Sequence, residues 1–181
     1  GGVAYPTYHT TVDKFAFSDD SRSTLGTGLS VGRSGVAGMA SSSAGYIAGG
    51  WTGSGNVTTV DKFAFSDDSR STLGTGLSVA RNGVAGMASS SAGYVAGGGS
   101  TAVDKFAFSD DSRSTLSTGL SSARNGVAGM ASVDAGYFAG GTSGLTTVDK
   151  FAFSDDSRST LGTGLSQSVQ WAAGMSDTVT E

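Results

Sequence analysis

Four pairs of adjacent aspartates, Asp19–Asp20, Asp67–Asp68, Asp110–Asp111 and Asp155–Asp156, are the densest chemical feature of this sequence. Paired carboxylates can bind Ca²⁺ or share acid–base work. A Ca²⁺ site, however, needs about six to eight oxygens, and neighbouring side chains in an extended or turning segment point to different sides. Each pair sits in a Ser-Asp-Asp-Ser stretch, where Asx-type hydrogen bonding makes a turn the favoured reading. A second set, Asp13, Asp61, Asp104 and Asp149, is followed in every case by Lys. That repetition reads as a surface or inter-unit ion pair rather than acid–base chemistry. A Ser-His-Asp triad needs a histidine, and the one available, His9, falls in a loop near the N-terminus. With no Cys, disulfides, thiolate metal sites and cysteine nucleophiles are all excluded. Catalysis requires different residues in different roles, whereas these groups recur unchanged. The expectation is a protein that is not an enzyme, with no metal site and no cofactor.

The formal charge of −4 offers no basic field for a nucleic acid. No apolar run approaches the roughly 20 residues needed to span a bilayer, so no membrane insertion is expected. Thirty Gly against one Pro, with 37% apolar residues, fits neither collagen nor a membrane protein.

What positions these residues is an internal repeat. The string Val-Asp-Lys-Phe-Ala-Phe-Ser-Asp-Asp-Ser-Arg-Ser-Thr-Leu begins at Val12, Val60, Val103 and Val148. A period of about 45 residues with apolar positions two apart indicates repeated β units rather than helical ones. Each full unit divides into four short strands, exemplified by Ser34–Ala40, Gly45–Gly50, Val60–Phe65 and the segment around Ser71–Leu73, with turn residues between them. No helix longer than a turn is expected. Alternation places Phe63 and Phe65 on one face of the third strand, with Val60, Lys62 and Ala64 on the other. Eight of the nine Phe occupy such paired positions (Phe15 and Phe17 in the first copy), which casts them as packing between units. The first strand, made of Gly, Ala, Ser and Val, suits a narrow centre where strands converge.

Tyr46-Ile-Ala-Gly-Gly50, then Thr59-Val-Asp-Lys-Phe63, Leu73, Gly76-Leu-Ser78 and Arg81-Asn-Gly-Val-Ala85 follow the order of the kelch repeat. The chain resembles that family over essentially its whole length, with Phe for the usual Tyr and Leu for the usual Trp. The compact Gly/Ala/Ser-rich form is similar to kelch-like repeats of phage virion and bacterial surface proteins. The resemblance implies an all-β fold, a β-propeller of four-stranded antiparallel blades, about four per chain. Copper-dependent kelch-like oxidases use Cys and several His, which this chain lacks. Ser18-x-Asp20-x-Arg-x-Thr24-Leu25 also resembles the Asp-box turn of sialidase propellers, a structural motif, with Arg22 where that motif has Gly.

The repeat divides residues 1–181, one repeat domain, into third and fourth strands (1–30), full units (31–78, 79–121 and 122–166) and a terminal first strand (167–181). No segment supplies the second strand of a completed fourth blade. The expectation is therefore association with copies of itself, as a ring of about eight blades or a filament. Trp171 stands where the other copies have Gly and reads as a seam residue. Sequence variation concentrates between the second and third strands, at 3–10, 51–57, 99–102 and 142–146. These loops are expected to share a rim with Arg33, Arg81 and Arg124, a rim that resembles the partner-binding face of kelch domains. Tyr5, Tyr8, His9 and Trp51 are its aromatics, suited to a binding hot spot, although Trp51 serves equally to cover an edge. The function expected is a structural or adhesive module, extracellular or in a virion, that meets a surface glycan or protein. The alternatives are a lectin using the rim and a glycan-cleaving propeller enzyme.

Overall fold

The computed structural model describes residues 1–142 and 144–176. Ser143 of the last variable loop and residues 177–181 of the expected terminal strand lie outside the described residues. Sixteen strands and no helix are found among them. The strands form five small antiparallel sheets, none closed on itself.

Unit one contributes β1 (Gly2–Ala4) and β2 (Thr7–His9), which pair as a hairpin, and β3 (Asp13–Phe15) with β4 (Arg22–Thr24). The first variable loop thus carries its own two-stranded ladder, which the alternation pattern did not reveal. Unit two is β5 (Ala37–Ala40), β6 (Ala44–Ala48), β7 (Val60–Ala64) and β8 (Arg70–Thr72). Unit three is β9 (Val84–Ala88), β10 (Ala92–Gly97), β11 (Asp104–Ala107) and β12 (Arg113–Thr115). Unit four is β13 (Ala128–Ala131), β14 (Ala135–Ala139), β15 (Val148–Ala152) and β16 (Arg158–Thr160). Units two to four are meanders in which each strand pairs with the next. Residues 167–176 contain no strand, although Ala131 N–H donates to Ser176 Oγ across 3.0 Å.

The apolar cores lie between successive sheets. One joins Met39, Tyr46 and Val60 of unit two to Val84, Val95 and Phe106 of unit three. The other joins Met87, Tyr94 and Val103 of unit three to Val127, Phe138 and Phe151 of unit four. Small residues make this possible. A Cβ on Gly93 would strike Met39 Sδ, and one on Gly136 would strike Met87 Sδ, so each glycine opens a slot for the preceding unit's methionine. Phe106 lies directly opposite Gly93, and Phe151 opposite Gly136.

The first strands converge, as their small side chains require. Gly86 packs on the Gly38 carbonyl and Gly129 on that of Gly86, closely enough that no Cβ fits. A hydrogen-bonded ladder runs alongside them. Gly83 N–H donates to Gly35 O at 2.8 Å, Gly126 N–H to Gly83 O at 2.9 Å and Trp171 N–H to Gly126 O at 2.8 Å. The three glycines hold φ of 63–65°, and Trp171 adopts 60° in the same role. A non-glycine residue there is uncommon, which marks this position as a departure from the repeat.

Not all eight Phe are core. Phe106 and Phe151 are fully buried, but Phe15 is 59%, Phe17 98% and Phe65 52% exposed. The second Phe of the string is covered by the first and second strands of the preceding unit, as Phe108 is against Tyr46 and Phe153 against Tyr94. Phe65 follows unit one, whose described strands include neither.

Candidate functional site

Three buried ion pairs repeat through the chain. Arg33 lies 3.0 Å from Asp61, Arg81 lies 2.6 Å from Asp104, and Arg124 pairs with Asp149, all at 0–1% side-chain exposure. The arginine precedes the first strand and the aspartate lies on the third, so the pair ties the first-strand lead-in to a strand it does not border. The guanidinium also donates to backbone carbonyls at the end of the second strand and beyond it: Arg81 to Val95, Gly97 and Ala102, and Arg124 to Gly140 and Thr147. The carboxylate takes further bonds, from the unit before and from its own fourth strand. Asp61 accepts from Ser30 N–H and Oγ, both at 2.9 Å, and from Thr72 Oγ1 at 2.7 Å. Burial pushes the carboxyls of Asp61, Asp104 and Asp149 up, but these hydrogen bonds and the facing arginine outweigh it, and each ends below its ordinary value.

This placement corrects two expectations. Arg33, Arg81 and Arg124 offer no exposed charge to a partner, because their guanidinium groups turn inward to carbonyls and carboxylates. Of the Asp-Lys positions, read as a surface or inter-unit ion pair, the lysines do pair between units, but the aspartates of units two to four are buried against an arginine of their own unit. Asp13 alone stays half exposed, paired with Arg22 at 3.0 Å.

The lysines bond the next unit. Lys14 reaches Asp68 at 2.8 Å, Lys62 reaches Asp111 at 2.7 Å and Lys105 reaches Asp156 at 2.7 Å. These acceptors are the second members of the Asp-Asp pairs, and the two members divide the work. The first closes the expected Asx turn: Asp19, Asp67, Asp110 and Asp155 each accept the N–H two residues on, at 3.0 Å. The second takes φ of 56–59°, a conformation Asp tolerates better than most residues, and so faces the preceding unit. Tyr46 and Tyr94 donate to the same carboxylates at 2.8 Å. Both phenols are held above their ordinary pKa, first by burial and then by the adjacent carboxylate. Phe108 stacks on Tyr46 at 5.3 Å and Phe153 on Tyr94 at 5.4 Å. The Val-Asp-Lys and Ser-Asp-Asp-Ser strings contain every charged partner of this joint, but alternation does not say which carboxylate meets which cation.

The variable loops and the lead-ins to the first strands meet at one end of the sheets. Trp51 bridges Ser34, Ser100 bridges Arg124, and Thr142 N–H donates to Asn125 O at 2.8 Å. Tyr8 is partly buried with its ring beside Gly53, and Trp51, also partly buried, pairs through its backbone with Ser34 and Asn56. His9 is exposed, and Tyr5 stands 94% exposed at the hairpin tip. A shallow depression of about 130 Å³ opens at this end between Thr142 and Val169. Among the described residues, no group of three His, Asp or Glu side chains could hold a metal ion. No family model matches the chain, and a search of curated proteins also finds no match.

Proposed function

We propose that the chain is a run of kelch-like β-propeller blades and acts as a non-enzymatic structural or adhesive module of a virion, extracellular assembly or cell surface, assembled with copies of itself. The observation that carries this reading is the sameness of the joints. Units two and three meet through the same Tyr, Lys, Phe and Asp contacts as units three and four, at distances equal within 0.1 Å. Repetition of this kind suits a scaffold, since each added unit gains the same contacts as the last. Meanders whose first strands converge, with cores between sheets, are also the parts from which a propeller is built, and ring closure protects the strand edges.

Electron micrographs of the purified chain test the reading. Uniform rings or filaments with a regular subunit spacing are the expected result. A second reading, a lectin, is favoured by Tyr5, an almost fully exposed aromatic on the same rim as Tyr8 and Trp51. Glycan binding that disappears on Tyr5→Ala and Trp51→Ala, without any regular assembly, would move the assignment there.

A further inference from the structure

Each internal joint has a back half on one unit and a front half on the next. Between units two and three, the back half is Met39, Tyr46 and Lys62, and the front half is Phe108 and Asp111. Tyr and Lys are direct cross-strand partners, Tyr46 with Lys62 and Tyr94 with Lys105. The lysine lies 5.4 Å from the tyrosine ring centroid in both. One carboxylate accepts from both groups while the phenyl ring stacks on the phenol.

Unit four presents a third back half. Tyr137 is paired with Lys150 in the same register, and Lys150 Nζ lies 6.0 Å from the Tyr137 ring centroid. Met130, the counterpart of the buried Met39 and Met87, is only partly covered. Among the described residues no carboxylate meets Lys150 and no ring stacks on Tyr137. Unit one presents an unmatched front half. Phe17 is 98% exposed, and Asp20 holds φ 56°, beside 58° for Asp111 and 59° for Asp156. Its turn is closed by the same bond, Ser21 N–H to Asp19 Oδ1 at 3.0 Å. Both halves are thus preformed, opposite in charge and matched in shape to a contact the chain makes twice.

We propose that the unit-four face of one copy receives the unit-one face of a second copy, with Asp20 accepting from Tyr137 and Lys150 and Phe17 stacking on Tyr137. This names the contact for the self-assembly put forward above and rests on that reading. The two surfaces are different, so the contact is head-to-tail and each copy keeps one free half for the next. The joint between units one and two shows that the charge pair needs no complete back half. There Lys14 binds Asp68 at 2.8 Å, and among the described residues no tyrosine donates to that carboxylate.

Sedimentation equilibrium of the 181-residue chain with D20K, K150D and F17A tests the proposal. D20K and K150D each set like charges against each other across the joint and should weaken association about tenfold or more. Mixed in equal amounts, they present opposite charges at both joints, and association should return toward that of the unaltered chain. F17A should weaken association while leaving the melting temperature of the dilute monomer unchanged, since the ring is exposed. Association that ignores all three substitutions, or a mixture that stays dissociated, overturns this joint and leaves assembly through another surface standing. An unaltered chain that remains at 17.9 kDa overturns both. A monomer in which F17A lowers the melting temperature also overturns the proposal, because the two halves then close within one chain.

Discussion

Arg81 donates to Asp104 across 2.6 Å with both side chains shut away from solvent. The pair is the centre of a hydrogen-bond set that joins a first strand, a second-strand end, a third strand and the connector from the unit before. Removing one partner strands the other charge in the interior. Arg81→Met should therefore cost about 3–5 kcal/mol, the range for breaking a buried pair, read as a fall in the urea midpoint. Arg22→Met, at the half-exposed pair with Asp13, should leave the midpoint nearly unchanged. Equal effects from the two would mean that burial does not set the strength of these pairs.

Acid should unfold the chain through the same aspartates. Asp61, Asp104 and Asp149 sit below their ordinary 3.8 in the folded state. A depressed carboxyl contributes stability that is present above its unfolded pKa and is lost as pH falls through the folded value. Urea midpoints should stay level from about pH 8 to pH 5 and drop below about pH 4. A steep loss between pH 7 and 5 would point to a different titrating group.

Two phenylalanines of the same repeat string should behave as opposites. Phe106→Ala empties a fully buried site between units two and three and should cost about 3–5 kcal/mol. Phe17→Ala removes a ring in solvent and should not shift thermal unfolding of the isolated chain. A large thermal effect at Phe17 would show that its surface is already covered.

Glycines along the converging strands divide in the same way. A Cβ on Gly86 would collide with the Gly38 carbonyl, whereas one on Gly38 meets nothing within 4 Å. Gly86→Ala forces two backbones apart and should cost about 1–3 kcal/mol, while Gly38→Ala should be tolerated. Calorimetry of the two variants separates close approach of the strands from a mere preference for small residues.

Much of this architecture is written in the spacing of the residues. Val60–Ala64 and Arg70–Thr72 lie within a residue of where alternation and turn chemistry place them, because a strand with one face against a neighbour must repeat every second position. The Asx turns at Asp19, Asp67, Asp110 and Asp155 were equally legible, since that bond is local. Long-range pairing was not. Nothing in Val-Asp-Lys announces that Asp61 turns toward Arg33, 28 residues earlier, or that Lys62 crosses to Asp111 in the next unit. The rim arginines were misjudged for the same reason: an arginine at a strand lead-in looks exposed until the second-strand carbonyls close around it. Trp171 gave its position away by replacing a glycine, but its φ of 60° and its place on the first-strand ladder needed coordinates.

The joint repeated between units two, three and four is the one proposed to hold copies of the chain together. Light scattering of the unaltered protein across a hundredfold range of concentration reads that association. The mass should rise from 17.9 kDa in whole multiples and fall back on dilution or in high salt, where a joint holding a partly exposed Lys–Asp pair is screened. A single species of 17.9 kDa at every concentration would contradict it.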